Sequence, residues 1–299
     1  MRVFITGATG FIGSALVPEL INAGHQIRGL VRSEAGAKAL AAAGAQAHRG
    51  ELEDHGSLLS GAAGADAVIH LAFIHDFSKF NESSDIDRQA IEVLGAGLAG
   101  SNRSLIVSSG IGPWTAPGRL VTEEIDPPPD SPMPRISEQC AMALVPQGVK
   151  AGVMRLPQVH DTVKQGLVTY LITIAREKGV SAYVDDGLNR WPTVHVLDAA
   201  RLFRLALERH EAGAKYHAVG EEGVPFRDIA AAIGRGLKVP VVSIPREEAT
   251  THFGFFFGTF AGLDMAASSA LTQKRLGWRP TEVGMITDLD HMQYPTGGP

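Results

Sequence analysis

The sequence predicts an α/β protein, in which a doubly wound parallel sheet is followed by a smaller mixed α/β region. Short runs rich in Val, Ile and Leu alternate with helical patterns in the first half, which is typical of a parallel sheet covered on both faces. A glycine-rich segment follows the first of these runs. The chain has 299 residues, 44% of them hydrophobic, which suffices for a large buried core.

The elements of the first half follow from these patterns in order. Strands are predicted at residues 3–5, 27–31, 46–48, 68–71, 104–108 and 151–155, and helices at 11–23, 34–43 and 86–98. Pro18 is expected to kink or loosen the first helix, because proline lacks the N–H that a helix interior needs. Right-handed crossovers between such strands produce a doubly wound sheet.

A proline-rich segment between Pro113 and Pro134 interrupts this alternation. Its seven prolines are incompatible with a regular helix or a central strand. We expect a loop over the open edge of a site, because long irregular loops in compact proteins are usually functional or disordered.

The second half has a mixed pattern that we expect to cover a substrate. Helices are predicted at residues 167–178, 197–210 and 226–237, and strands at 182–184, 193–196, 216–219 and 239–243. Ser268 or Ser269 is expected to cap a helix that ends near Leu276, and Thr281 to begin a last helix. We therefore divide the chain into a domain of residues 1–162 and a region of residues 163–299 that can return a strand and a helix to it.

Composition excludes several classes of function. The net charge of −5 argues against a nucleic-acid partner and against an anionic membrane surface. The single cysteine, Cys140, excludes an internal disulfide, and neither a cysteine pair nor a His-Glu-x-x-His sequence indicates a metal site. No apolar run approaches the roughly 20 residues of a membrane span, and the N-terminus does not have the pattern of a signal peptide. We expect a cytoplasmic protein, either a monomer or a homodimer.

A glycine-rich turn is expected to bind the phosphates of a dinucleotide. Gly7, Gly10 and Gly13 lie three residues apart between the first strand and the first helix. Glycines in this context allow a tight turn, a close approach of backbone N–H groups to a pyrophosphate, and close packing of helix on strand. The helix N-terminus adds partial positive charge. The alternative is a purely structural turn. The expected cofactor contacts are Gly7, Thr9, Gly10, Phe11 and Ile12.

The end of the second strand indicates which dinucleotide is bound. An acidic residue about 20 positions after the turn would hold the ribose 2′-hydroxyl of NAD. The sequence has Arg32 and Ser33 there instead, with Lys38 as a further cation. Because a guanidinium suits a 2′-phosphate, NADP (as NADPH) is favoured over NAD. The alternative for Arg32 is an ordinary solvent-facing strand end.

Four segments, in this order, make the chain resemble the extended and atypical short-chain dehydrogenase/reductases, the superfamily of nucleotide-sugar epimerases and dihydroflavonol-type reductases. They are residues 7–13, 66–72 (Asp-Ala-Val-Ile-His-Leu-Ala), 105–109 (Leu-Ile-Val-Ser-Ser) and 194–200 (Val-His-Val-Leu-Asp-Ala-Ala). The resemblance covers most of the chain. It implies a Rossmann-type nucleotide-binding domain, a C-terminal substrate domain and hydride transfer at nicotinamide C4.

The resemblance also implies further cofactor contacts. They share a position at the carboxyl ends of predicted strands, where this superfamily holds its dinucleotide. These residues are Leu52 near the adenine, Leu71, Ala72 and Phe73 along the path from adenosine to nicotinamide, Ser108 at the end of the fifth strand, and Pro157 and Val159 on the carboxamide side.

The chain departs from the superfamily at the catalytic motif Tyr-x-x-x-Lys, in which the tyrosine exchanges a proton with the substrate. The residues four positions after Tyr170, Tyr183, Tyr216 and Tyr294 are Ile174, Gly187, Gly220 and Gly298. In the aligned helix, Pro134 and Glu138 stand in the two motif positions, and Gly110 stands where the superfamily often has a catalytic serine. The proton must therefore come from another side chain, from water or from the substrate.

Three substitutes for the tyrosine follow strands at their carboxyl ends, where such sheets bind ligands. His75 and Asp76 follow the fourth strand, and a carboxylate can poise an imidazole that titrates near neutrality. Ser109 can hydrogen-bond a substrate oxygen, and His160 follows the sixth strand. The alternatives are a solvated loop pair for His75 and Asp76, a strand-end cap for Ser109 and a pocket lining for His160.

Other conspicuous residues have plainer interpretations. His195 and Asp198 are expected to be structural, with Asp198 at a helix start. Glu221 and Glu222 are expected in a solvated turn. The aromatic run at residues 252–258 is expected to pack in the core, with an apolar pocket or an interface as the alternative.

Together these features predict an NADP-dependent reductase of a small, fairly apolar carbonyl compound, with a proton donor other than tyrosine. One alternative is an epimerase or dehydratase of a nucleotide sugar. It would need a basic diphosphate clamp in the second region, where the basic residues look scattered. The other alternative is a non-catalytic NADP(H)-binding sensor or scaffold, which the missing motif favours.

Overall fold

A computed structural model describes residues 1–128 and 135–294 of the chain. Elements are numbered along the chain. The strands are β1 (Arg2–Thr6), β2 (Gln26–Val31), β3 (Gln46–Arg49), β4 (Ala67–His70), β5 (Ser104–Gly110), β6 (Lys150–Leu156), β7 (Gln158–His160), β8 (Ser181–Val184), β9 (Arg190–His195), β10 (Lys215–His217), β11 (Glu221–Pro225) and β12 (Val241–Ile244). The helices are α1 (Phe11–Asn22), α2 (Glu34–Ala42), α3 (His55–Ala63), α4 (Phe80–Leu98), α5 (Ser137–Leu144), α6 (Val168–Lys178), α7 (Val196–Glu208), α8 (Phe226–Leu237), α9 (Ala249–Phe260), α10 (Ala270–Leu276) and α11 (Met285–His291).

The main sheet is parallel and doubly wound, in the Rossmann-type arrangement. Its order across the described residues is β3-β2-β1-β4-β5-β6-β10, and Phe4 on β1 pairs with Arg28 on one side and with Val68 on the other. The chain therefore moves outward from β1 through β3 and then crosses back to β4. Ligands of open α/β sheets bind outside the carboxyl ends of the strands at such a reversal. The ends of β1 and β4 thus mark where a site is expected.

Two hydrophobic cores cover the two faces of this sheet, because successive side chains of a strand point to opposite faces. Val3 and Ile5 pack on one face with apolar residues of α1, α2 and α7. Phe4 packs on the other face with apolar residues of α3, α4 and α5. The alternation along β1 therefore fixes how the helices surround the strand that carries the glycine-rich turn.

The later half of the chain has a core of its own. A three-stranded sheet (β11-β9-β7) and a two-stranded sheet (β12-β8) surround it with α6, α8, α9 and α11. From the same half, β10 pairs with β6 in the main sheet and α7 packs on α1. The chain thus crosses between the two cores more than once.

Most predicted elements are present within one to three residues of the expected positions, but several were missed or misplaced. The helices α3 and α9 and the strands β7 and β11 had no counterpart in the prediction. The last helix begins at Met285 rather than at Thr281, and α1 runs through Pro18 as a single helix. The predicted solvated turn at Glu221 is wrong, because Glu221 lies in β11 and accepts hydrogen bonds from Thr193 and from the Met285 N–H.

The proline-rich segment has no helix or named strand across residues 113–128, as predicted, and Pro129, Pro132 and Pro134 lie outside the described residues. The described part is anchored to the C-terminal region: the Val121 N–H donates to Ala266 O, and Glu123 accepts from the N–H and the hydroxyl of Thr272. Among the described residues, no helix combines the length and the apolar character that crossing a membrane requires.

Candidate functional site

The glycine-rich turn at the end of β1 leaves no room for side chains at two of its glycines. Gly7 has φ +70°, and a Cβ placed on it would lie 2.8 Å from the backbone N of Ala72, just after β4. A Cβ on Gly13 would lie 2.2 Å from the carbonyl oxygen of Gly7. The turn is closed by a hydrogen bond of 2.9 Å from the Gly10 N–H to Gly7 O. The glycine spacing therefore produces the tight packing of turn, helix and neighbouring strand that the sequence predicted.

The start of α1 presents backbone N–H groups to the crevice without a side-chain cap. Gly10 is the N-cap residue, it makes no side-chain hydrogen bond, and the first turn contains no acidic residue. The N–H groups of Phe11 and Ile12 have no acceptor within a helix that begins there. Thr9 is exposed at the same corner. Unpaired N–H groups and the positive end of the helix dipole suit the pyrophosphate of a dinucleotide.

Arg32 is positioned to receive a charged group at the end of β2. Its side chain is exposed, and within the described residues it has neither an ion pair nor a side-chain hydrogen bond. Lys38 is exposed on the following helix, α2. Ser33 caps that helix, since its Oγ accepts from the Gly36 N–H at 3.1 Å. Ser33 therefore has a structural contact, and only its hydroxyl hydrogen remains for a ligand.

The expected cofactor contacts after β3, β4 and β5 lie at the same edge of the sheet as the turn. Their side chains are not equally free to contact a ligand. Leu71 and Ala72 are half-buried, and the Ala72 N–H donates to Thr6 Oγ1 at 3.3 Å. Leu52 is half-buried next to the core beneath α3. Ser108 is buried, and its hydroxyl donates to His70 O at 2.9 Å, so that hydroxyl hydrogen is not available to a cofactor.

A network of buried, hydrogen-bonded polar side chains lies beneath this crevice. Thr6 Oγ1 lies 2.8 Å from His70 Nδ1, and His70 Nε2 lies 3.0 Å from Asp87 Oδ1. Burial alone would raise the pKa of Asp87, but the hydrogen bond from His70 and the charge of Arg135 hold that pKa below its ordinary value. An ionised Asp87 places the imidazole hydrogen on Nε2, so Thr6 donates to Nδ1. Ser137 extends this hydrogen-bond network by donating to the other Asp87 oxygen.

Arg135 connects this hydrogen-bond network to the crevice. The sequence analysis did not identify this residue. Its Nε donates to Ser137 Oγ at 2.7 Å, and its Nη2 donates to Ser108 O at 2.9 Å. The guanidinium lies 4.2 Å from the centre of the Phe73 ring. Burial lowers the pKa of Arg135, and Asp87 opposes that shift. The residue belongs to no sequence motif, so no local signal could have identified it.

A small cavity opens at the carboxyl end of β5. It encloses about 280 Å³ of empty space, including its opening to solvent. Ser109 on its wall is 5% exposed, and the buried Nε1 of Trp114 has no hydrogen-bond partner. The cavity thus presents several polar hydrogens next to the predicted path of the cofactor. The lining residues are Ser109, Gly110, Trp114, Pro127, Arg135, Glu138 and Gln139.

Glu138, which stands in the lysine position of the superfamily motif, is held by a buried arginine. Arg155 on β6 is fully buried and donates from Nε to Glu138 Oε2 at 2.8 Å, while its Nη2 lies 2.5 Å from Oε1. Its Nη1 donates to His217 Nε2 at 3.0 Å, and burial followed by the Arg155 charge lowers the pKa of His217 to about 3. Glu138 is therefore a buried counter-ion. Pro134, the other aligned position, lies outside the described residues.

His75 lies near the crevice, but the structure does not pair it with Asp76. Its ring packs edge-on against Phe73, with 5.2 Å between the ring centres, and keeps part of its surface in solvent. Desolvation, followed by the charge of Arg135, lowers the pKa of His75. Asp76 instead accepts from the N–H and the hydroxyl of Ser78, and no ion pair between His75 and Asp76 is present in the described chain. The expectation that this carboxylate poises the imidazole is therefore wrong.

His160 is buried in a contact with the C-terminal helix α11. It is 1% exposed, and its Nδ1 lies 2.7 Å from Asp288 Oδ2. Its neighbour Val159 is buried and Pro157 is half-buried. His195 caps α7, and Asp198 accepts from the N–H groups of Thr281 and Glu282, as expected for structural residues. These contacts favour a structural role for His160.

An aromatic cluster forms the outer wall of the crevice. Phe77, in the segment after β4, lies 4.4 Å from Phe256 and 5.1 Å from Tyr170, measured between ring centres. The same cluster includes Phe80. The aromatic run on α9 therefore packs in the second core through Phe253, Phe257 and Phe260, as expected, and also reaches the crevice through Phe256.

A lysine missed by the sequence analysis lies beside the glycine-rich turn. Lys164 Nζ is 5.6 Å from the centre of the Phe11 ring. Asp161 positions the loop by accepting from the N–H groups of Val163 and Lys164, at 2.7 and 2.6 Å. This cation adds to the positive potential at the start of α1.

Comparison with known proteins finds a family model in the first half of the chain and relatives over most of its length. A family model described as NAD(P)H-binding matches residues 7–126. An uncharacterized protein of Schizosaccharomyces pombe, C2A9.02, is 48% identical over 296 residues, which cover 98% of this chain and all of that protein (100%). A 4-hydroxy-2-methyl-3-oxo-4-farnesyl-3,4-dihydroquinoline-1-oxide ketoreductase of Stigmatella aurantiaca is 28% identical, over 85% of this chain and 80% of the relative.

The fold is shared with solved structures of low sequence identity. The dTDP-glucose 4,6-dehydratase DesIV of Streptomyces venezuelae, solved with NAD and TYD bound, superimposes with a TM-score of 0.76 at 20% identity. The match covers 98% of this chain and 96% of DesIV. The two chains therefore share their fold over nearly their whole lengths.

Proposed function

Because this chain belongs to the NAD(P)-binding short-chain dehydrogenase/reductase superfamily, and to one family with the Schizosaccharomyces pombe protein C2A9.02, we propose that it is an NADP-dependent reductase of a small carbonyl compound. The observation that carries the proposal is the tightly packed glycine turn with the uncapped start of α1, at the same edge of the sheet as a cavity lined by hydrogen-bond donors. The turn at Gly7 and Gly13 is a cradle that a Cβ would fill, so these residues fit a bound dinucleotide. When bound, the cofactor would supply the hydride.

Residues of the crevice would bind the cofactor, hold the substrate and exclude water. The N–H groups of Phe11 and Ile12 would hold the pyrophosphate, with Lys164 as an additional cation. Ser109 lines the cavity at the end of β5, where its hydroxyl would hold the carbonyl oxygen of the substrate. The aromatic cluster around Phe77 and Phe256 would exclude water from that side.

Neither of the two candidate histidines, His75 and His160, is well suited to donate the proton. The lowered pKa of His75 makes its ring mainly neutral at pH 7, which suits a hydrogen-bonding role better than the role of an acid. His160 is buried against Asp288 and would not reach a substrate in the cavity. We therefore assign the substrate-side proton to water or to the Ser109 hydroxyl, and we assign His75 to lining the entrance.

Oxidation of NADPH, followed by its absorbance against a broad panel of aldehydes, ketones and oxo acids, tests this function. We expect turnover with a subset of small carbonyl compounds. Tight NADPH binding without turnover across the panel would instead support a sensor or scaffold. A cofactor that survives purification, with conversion of a nucleotide sugar, would support the epimerase or dehydratase alternative.

Substitution of Arg32 by glutamine is expected to weaken NADPH binding by roughly 10- to 100-fold, because it removes charge-assisted hydrogen bonds to the 2′-phosphate. NADH binding is expected to stay nearly unchanged, since NADH has a hydroxyl at that position. Titration calorimetry with both cofactors measures the two dissociation constants. Arg227→Gln, which changes an exposed arginine on α8, is the matched control and should leave both constants unchanged. Equal weakening for NADPH and NADH in Arg32→Gln would contradict the preference for NADP.

A further inference from the structure

The cavity at the end of β5 is lined by polar hydrogens that the described protein does not satisfy. Trp114 Nε1 is buried without a hydrogen-bond partner, although buried donors in proteins are almost always paired. Arg135 uses Nε and Nη2 in contacts with the described residues, which leaves its Nη1 hydrogens for a ligand. The Ser109 hydroxyl lies on the same wall. An occupant rich in acceptor oxygens would satisfy all three groups.

The charges around the cavity favour an anion. Glu138 is a carboxylate on its wall, and both Glu138 oxygens are engaged by the buried Arg155. Among the described residues, Asp87 is the acidic group whose charge acts on Arg135, and it lies behind Ser137. Arg135 therefore faces the cavity as a cation whose counter-ion is on its other side. A guanidinium of this kind binds carboxylates through parallel hydrogen bonds.

The size of the cavity limits the group that it can hold. Its 280 Å³ of empty space includes the opening to solvent, so the enclosed part is smaller than that volume. We therefore expect only a polar head group to enter it, with the rest of the ligand lying at the opening. The aromatic face at its mouth, with Phe73 beneath the Arg135 guanidinium, suits an apolar body.

From these observations we propose that Arg135 and Trp114 bind the carboxylate end of an oxo acid that has an apolar body, with its carbonyl oxygen at the Ser109 hydroxyl. This inference rests on the proposed reductase function and specifies its substrate class. The reaction would convert the oxo acid, NADPH and a proton into the hydroxy acid and NADP⁺. The hydride forms the new C–H bond at the carbonyl carbon, the C=O π pair moves to oxygen, and that oxygen takes the proton.

Binding of benzoate, with benzamide as its uncharged counterpart, tests the anion site without relying on turnover. In the presence of NADPH, calorimetry should show benzoate binding at least about 10-fold more tightly than benzamide, because hydrogen bonds to a charged acceptor are the stronger ones. Arg135→Gln should weaken benzoate binding by about 100-fold, and Arg135→Lys should restore part of the loss. Trp114→Phe, which keeps the ring and removes the N–H, should weaken it by about 10-fold.

The control for Trp114→Phe is Trp191→Phe. Trp191 Nε1 is also buried without a partner, but it lies in the second core against Phe226. Its substitution should leave benzoate binding unchanged. Because Trp114→Phe leaves the charges around Arg135 intact, it keeps the test decisive if Arg135→Gln does not fold.

Turnover separates failure of this inference from failure of the proposed function. Benzoylformate should be reduced in preference to its methyl ester, and Arg135→Gln should abolish this preference while NADPH binding persists. Equal binding of benzoate and benzamide, or equal reduction of the acid and the ester, would overturn the carboxylate site and leave the reductase function standing. Arg135-dependent benzoate binding without reduction of any carbonyl compound would retain the anion site and reject the reductase function.

Discussion

Replacing Gly13 by alanine is expected to abolish measurable cofactor binding, with a loss of affinity of at least about 100-fold. The added Cβ would lie 2.2 Å from Gly7 O and 2.7 Å from the carbonyl carbon of Ala8. Both contacts are to backbone, which cannot rotate away as a side chain can. The turn and the start of α1 would have to separate, and the N–H groups that face the pyrophosphate would move with them. Overpacking of this kind also costs about 1–3 kcal/mol of the free energy of unfolding.

Calorimetry with NADPH and unfolding in urea measure the two effects separately. Gly56→Ala is the matched control, because Gly56 is a helical glycine whose Cβ would meet only Asp54 Oδ1, at 3.5 Å. That substitution should leave cofactor binding unchanged and stabilise α3 slightly, since alanine has the higher helix propensity. If Gly13→Ala bound NADPH with wild-type affinity, the glycine-rich turn would not be the phosphate site.

Replacing Glu138 by glutamine is expected to lower the free energy of unfolding by about 3–5 kcal/mol, because it removes the buried counter-ion that engages Nε and Nη2 of the Arg155 guanidinium. Arg155 has no solvent exposure, and Glu138 engages its guanidinium through both carboxylate oxygens. His217 is a neutral acceptor with a strongly lowered pKa, and Asp126, 3.8 Å from Arg155 Nη2, is an exposed carboxylate that also pairs with Lys215, so neither fully replaces the lost charge. Urea unfolding of the wild type and the variant measures the difference.

Two further variants show whether this effect comes from the buried charge. In the double variant Arg155→Met with Glu138→Leu, neither charge remains, so its stability should exceed that of Glu138→Gln. Asp290→Asn breaks the exposed pair with Arg235 and should change the free energy of unfolding by no more than about 1 kcal/mol. A similarly small change in Glu138→Gln would show that Glu138 is not the counter-ion that stabilises Arg155.

The glycine-rich turn and the main sheet were predictable because their signals are local. Gly7, Gly10 and Gly13 act within one turn, and their spacing alone specifies where a backbone can approach a phosphate. The strands of the main sheet are short apolar runs. The pattern did not predict the helices α3, α5 and α9 or the short strands β7 and β11, and α5 was expected only from the resemblance. In α3 the apolar residues are mixed with glycine and serine, so the helical period is weak.

The polar part of the site was not predictable in the same way. Arg135 acts through Ser108 and Phe73, which precede it by 27 and 62 positions in the chain. His160 was expected to act near the cofactor, but its partner Asp288 lies 128 positions away and turns it toward the second core. Nothing in the neighbouring residues of either side chain indicates these contacts.

The sequence by itself determined the order of strands and helices, the class of cofactor-binding turn and the departure from the Tyr-x-x-x-Lys motif. Only the tertiary structure decided which polar groups face the cavity, since it pairs Glu138 with Arg155 and leaves Arg135 and Trp114 with hydrogens to donate. The physical reason is the distance along the sequence over which each kind of interaction acts. Helix and strand patterns and glycine conformations depend on neighbours within a few residues, whereas burial and charge pairing depend on segments that meet only when the sheet and its covering helices have packed together.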